Sequence, residues 1–90
     1  MGTSAVKYKL MPTGLEVSLE ELKKIAIEKI ESLGGVFSES EEQPIAFGLK
    51  SLVLSLAFPE DKEIDELGNA LNEIEGVSSA EMIDYRRAIG

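Results

Sequence analysis

GLKSLVLSLAFP, residues 48–59, is the stretch on which the fold turns. Leu52, Leu54, Leu56 and Phe58 fall on one side of an extended chain, and Ser51, Val53, Ser55 and Ala57 on the other. A period of two predicts a strand over 48–58, and Pro59 ends it. One side is greasy and the other small, the pattern expected when helices cover a single face of an antiparallel sheet.

Downstream, Ile64, Leu67, Leu71 and Ile74 line one face of an amphipathic helix predicted over 63–75, with Gly76 just past its end. Residues 77–86 read as a last strand. Upstream, residues 5–11 alternate, with Val6, Tyr8 and Leu10 opposite Lys7, Lys9 and Met11, until Pro12 to Gly14 breaks the run. Ser18 starts a helix, since Ser-Leu-Glu-Glu places Glu21 three residues on as a capping box. Leu19, Leu22, Ile25, Ala26, Ile30 and Leu33 then recur at helical spacing, and Gly34-Gly35 can take the left-handed conformation that stops the helix. Residues 36–42 are a weaker strand whose Ser and Glu side chains suit an exposed sheet edge.

The resulting order is β-α-β-β-α-β. Right-handed crossovers leave few ways to close it, and the commonest is the α+β ferredoxin-like sandwich, a four-stranded antiparallel sheet with two helices on one face. The apolar strands 5–11 and 48–58 are expected at the centre and the charged strands 36–42 and 77–86 at the edges. With no linker or repeat to divide it, the chain of 90 residues reads as one domain over 1–90.

Composition narrows the chemistry. Neither cysteine nor histidine is present, which removes thiol nucleophiles, disulfides, the commonest zinc ligands and the usual general base near neutral pH. A Cys-free chain suits a reducing, cytoplasmic compartment. The opening MGTSAVKYKL lacks the apolar stretch of a signal peptide. There is also no run of about 18 apolar residues to cross a membrane. Nine Lys and Arg against 17 Asp and Glu give a net charge of −8, a poor basis for direct nucleic-acid binding, which depends on neutralising phosphates. The acidity serves either solubility or partner choice. It is also uneven: from Glu60 to Tyr85 there are nine acids and one base, Lys62, and then Arg86 and Arg87 arrive together.

Motifs for covalent chemistry are missing. No GxxxxGK[ST] or GxGxxG cradle appears. EDKEIDE (60–66) lacks the spacing of a calcium loop and overlaps a helix start, where acids offset the dipole. Acylphosphatases share the fold but need an arginine in the loop after the first strand, and here that loop is MPTGLEVS. QPIAFGLK (43–50) raises a different question. Strand parity run back from Leu52 puts Phe47 on the Ser51/Val53 side, away from the helices, whereas a bulge at Gly48 would flip it inward. The residues alone leave core and surface both open. An exposed aromatic in a turn bounded by Pro and Gly would be a contact anchor; the Arg86-Arg87 pair would otherwise be a solvated chain end.

PIAFGLKSL (44–52), the spacing to an acidic second helix and the ending EMIDYRR (81–87) together resemble the translation elongation factor 1-beta family. The resemblance covers essentially the whole chain and is nearest to the short archaeal members; in eukaryotic relatives the matching piece is the C-terminal exchange module. It implies a ferredoxin-like fold and guanine-nucleotide exchange on elongation factor 1-alpha, the GTPase that delivers aminoacyl-tRNA. It also implies a protein that is monomeric when free and has neither covalent chemistry nor a cofactor. The family's loop phenylalanine falls on Phe47, which is then expected to point outward as an anchor, with Pro44, Ile45 and Lys50 of the PI-x-FG-x-K motif beside it. A lysine near the C-terminus of eukaryotic relatives is thrust towards the magnesium site of the GTPase. Its match is Arg87, with Arg86 the neighbouring choice. Arginine keeps the charge on a bulkier, more weakly hydrated head, so pairing with acids of the partner stands beside metal displacement as its role. A rival reading on the same fold is a small-molecule regulatory module, which would dimerise through an edge strand or open face.

Overall fold

Alternating side chains yield strands and helical spacing yields helices, in the expected order. β1 spans Thr3–Pro12, α1 Leu19–Ser32, β2 Val36–Pro44, β3 Lys50–Pro59, α2 Ile64–Asn72 and β4 Val77–Arg87. The computed structural model describes residues 2–87; of the chain end 86–90, residues 88–90 therefore lie outside the described residues. The four strands form one antiparallel sheet in the order β2-β3-β1-β4. The two apolar strands are central and the two charged ones are edges, as patterning predicts. α1 packs over β2 and β3, and α2 over β4. This is the ferredoxin-like sandwich.

Between sheet and helices lies one core. Val6, Tyr8 and Leu10 of β1 and Leu52, Leu54, Leu56 and Phe58 of β3 face Leu22, Ala26 and Ile30 of α1 and Leu67 and Leu71 of α2. Burial pushes the Tyr8 phenol above its ordinary value, and the charge of Asp65 adds to the shift. The opposite face of the sheet carries no helix. There Val53 stands in register between Lys9 and Glu41 and is still buried, flanked by their long side chains.

The ends of α1 lie where the sequence puts them, with the Ser18 half of the capping box in place. The Ser18 side chain accepts from the Glu21 N–H at 3.4 Å. At the other end the Gly35 N–H donates to the Ile30 carbonyl at 2.9 Å and the Gly34 N–H to that of Glu31 at 3.1 Å. These two bonds with Gly34 at φ +92 make a Schellman stop.

Several boundaries differ from the pattern, among them β1, which begins at Thr3 rather than residue 5 and takes in Pro12. β2 runs on to Pro44, which pairs with Lys50; proline donates no ladder bond and is tolerated at the end of an edge strand. β3 starts at Lys50 rather than 48, because residues 46–49 are spent on a turn. α2 stops at Asn72, and the N–H groups of Ile74 and Val77 turn back to Leu71 and Ile74 in tighter loops. Ile74 still reaches the core. No helix among the described residues is long and apolar enough to cross a membrane.

Candidate functional site

The β2–β3 hairpin closes with a four-residue turn, Ala46 to Leu49. The Leu49 N–H donates to the Ala46 carbonyl at 2.9 Å, and the Ile45 N–H donates to the Leu49 carbonyl at 2.8 Å. Both central residues have positive φ, Phe47 at 55° and Gly48 at 81°, as a type I′ turn requires. Gly48 is thus the second corner of the turn and not a bulge. Phe47 is the first corner. Asparagine, aspartate or glycine usually fills that position, since a side chain in left-handed backbone crowds the next carbonyl. Among the described residues Phe47 is the one non-glycine with positive φ. Its ring is 93% exposed.

Phe47 has apolar company. Ile45 is 42% exposed and Leu15, in the β1–α1 loop, 68%. A Cβ placed on Gly48 would come within 3.5 Å of Leu15 Cδ2, so this leucine lies directly against the turn. Leu15, Leu49, Lys50, Gly48 and Pro12 line a shallow pocket of about 170 Å³ beside it. Leu15 is a candidate contact that the sequence reading missed. No local signal ties residue 15 to residue 48, 33 positions on. Lys50, on the helix-covered side of the hairpin, pairs loosely with Glu42 at 3.8 Å, and Pro44 closes the β2 side of the hairpin opposite it.

The basic pair is elsewhere. Arg86 pairs in register with Ala5 and Arg87 with Ser4, at the start of β1, whereas the hairpin lies by the end of β1 at Pro12. Ring and guanidinium groups therefore occupy opposite ends of the sheet, in a body whose long dimension is 42 Å. Because strand neighbours alternate faces, Arg86 lies on the open face and Arg87 on the helix-covered face. Arg86 Nε is 3.4 Å from Asp84 and Arg87 Nε is 3.6 Å from Glu60. One residue earlier, the Ser4 hydroxyl donates to the Tyr85 hydroxyl at 3.0 Å. That bond ties the end of β4 to β1 beneath the arginines.

Between the two ends runs the uncovered face. Glu39, Ser55, Lys7 and Asp84 form one row across it, and Glu41, Val53, Lys9 and Glu81 the next. Lysines hold the centre and acids both edges. Among the described residues no three Asp and Glu side chains converge as a metal site.

Comparison with known proteins adds the following. A family model described as the EF-1 guanine nucleotide exchange domain matches residues 5–87. The chain is 38% identical to elongation factor 1-beta of Archaeoglobus fulgidus over 93% of this chain and 96% of that one. It is 39% identical to elongation factor 1-beta of Methanosphaerula palustris over 93% of this chain and 95% of that one. Among solved structures, the C-terminal domain of the MgtC protein from Mycobacterium tuberculosis is similar with a TM-score of 0.63, covering 98% of this chain and 88% of that one. At 11% identity, that likeness concerns the fold alone.

Proposed function

The chain belongs to the elongation factor 1-beta family, whose EF-1 guanine nucleotide exchange domain it carries over nearly its whole length, and from that premise we propose that it releases GDP from the GTPase elongation factor 1-alpha. It acts by binding, as a monomer and a single domain in the cytoplasm, and makes or breaks no covalent bond. An exchange factor holds the nucleotide-free GTPase more tightly than the loaded one, and by linkage each ligand then weakens the hold of the other.

One observation carries this reading: a phenylalanine is held in left-handed backbone with its side chain exposed to water. Strain of this kind persists where the surrounding structure enforces it, and it gathers at functional sites. The ring, with Ile45, Leu15 and the Pro44–Lys50 hairpin, is the anchor. Arg87, with Arg86 beside it, acts at the far end. The partner is engaged at two separated places, since neither cluster reaches the other across the length of the sheet.

The test is release of labelled GDP from the GTPase. The parent protein accelerates it. Phe47→Ala and Arg87→Ala each slow it by about tenfold or more, the scale of a lost interface anchor, while thermal unfolding stays nearly unchanged. Parent-like release by both variants would refute the site assignment.

A further inference from the structure

Arg87 pairs loosely with Glu60 through its Nε, and that pairing bears on what it can bind. Glu60 follows β3 at the same end of the sheet, and its N–H donates to the Gly2 carbonyl at 3.1 Å, one step beyond the β1–β3 ladder. Gly2 sits beside Glu60, just ahead of β1 and two residues before Ser4, the register partner of Arg87. A Cβ built there would sit 3.2 Å from both carboxylate oxygens of Glu60. The carboxylate thus lies against a residue with no side chain, and its Oε2 reaches Arg87 Nε at 3.6 Å.

Of the two side chains, that of Glu60 is 25% exposed and that of Arg87 75%. The acid is the more enclosed member of the pair, and the guanidinium extends from it into solvent. Nε is on the stem side of the group, so the ion pair leaves the two Nη groups at the outer edge. That edge is the planar fork which matches an oxyanion with two parallel hydrogen bonds. A cation already offset by a carboxylate is poorly suited to compete with a metal through bare charge. It is well suited to directional hydrogen bonding.

We propose that Glu60, through the gap at Gly2, positions Arg87 as a two-pronged donor that grips a carboxylate of the GTPase. This rests on the exchange reading. A carboxylate is favoured over a nucleotide phosphate because the factor's hold must be strongest once the nucleotide has left. The oxyanion that Arg87 grips must therefore remain behind.

Four chains decide it: the parent, Glu60→Gln, Arg87→Lys and the double variant, each assayed for GDP release and for binding to the nucleotide-free GTPase. Arg87→Lys keeps the charge and loses the fork, and is expected to lower both by about tenfold. Glu60→Gln lowers both by about threefold at low salt and adds nothing in the Arg87→Lys background, because it acts through the arginine. Thermal unfolding midpoints of the four agree, which a structural role for Glu60 would not give. The proposal is overturned if Arg87→Lys matches the parent, since charge would then suffice. Faster release by Glu60→Gln would also overturn it, making Glu60 a competitor, as would additive losses. Parent-like binding of Arg87→Lys to the nucleotide-free GTPase would transfer the oxyanion to the nucleotide and likewise overturn it. A parent without effect on release sinks the exchange reading and this inference with it; an active parent with an equally active Arg87→Lys sinks the inference alone.

Discussion

At φ +55 the Cβ of Phe47 is pressed towards its own carbonyl oxygen, at a cost of roughly 1–2 kcal/mol relative to ordinary backbone. Glycine carries no such penalty, although it frees the unfolded chain and returns part of the gain. Phe47→Gly is therefore expected to stabilise the fold by about 1 kcal/mol, raising the unfolding midpoint by about 4–8 °C for a domain of this size. The same variant loses GDP release. A calorimetric midpoint at or below that of the parent would show that the turn bears no strain. Pro44 and Gly48 mark the turn, but Gly48 reads equally as the first residue of the strand, and the first corner carries no signal of its own. Nothing in a phenylalanine codon signals left-handed backbone, and parity counted from Leu52 assumes a strand that in fact begins two residues later. Glu60 was hidden in a different way. Within EDKEIDE it reads as one more acid before a helix, and its reach to Arg87 depends on Gly2, 58 positions away.

At the level of elements, the two edge strands are protected differently. β2 carries Glu39, Glu41 and Glu42, charges that discourage pairing with another strand. β4 is less charged over its first half, and there a side chain takes over. Asn72, at the end of α2, accepts from the Ala80 N–H at 2.9 Å and donates to the Ala80 carbonyl at 3.2 Å and the Gly68 carbonyl at 2.9 Å. Its amide imitates one residue of a fifth strand. Asn72→Ala is expected to cost about 1 kcal/mol and to expose the Ala80 amide. Hydrogen exchange at Ala80 should then accelerate well beyond that of Leu10 across the ladder; equal change at both would mean general loosening instead. The order of elements, the identity of centre and edge, and both ends of α1 were legible because period and capping residues are local. The stop of α2 at Asn72 was not, since the apolar spacing runs on to Ile74 while the backbone there tightens into three-residue loops.

For the whole molecule, the separation of Phe47 from Arg87 sets the energetics. Groups far apart with no shared partner contribute independently. The double variant Phe47→Ala/Arg87→Ala should thus lose GDP release by the product of the two single losses. A double variant no worse than the weaker single would mean that the two ends work as one contact. The expected ferredoxin-like order already implies this separation. It comes from the antiparallel course of four strands, which carries residue 47 to one end and residue 87 to the other. The same four strands run the length of the body without interruption other than local bulges. They make it a stiff arm. In the proposed exchange reading the seated ring is a pivot, and a small tilt there is carried along the whole sheet to the far tip. In that reading the rigid spacing fixes where Arg87 lands once the ring is seated, while each contact keeps its own share of the binding energy.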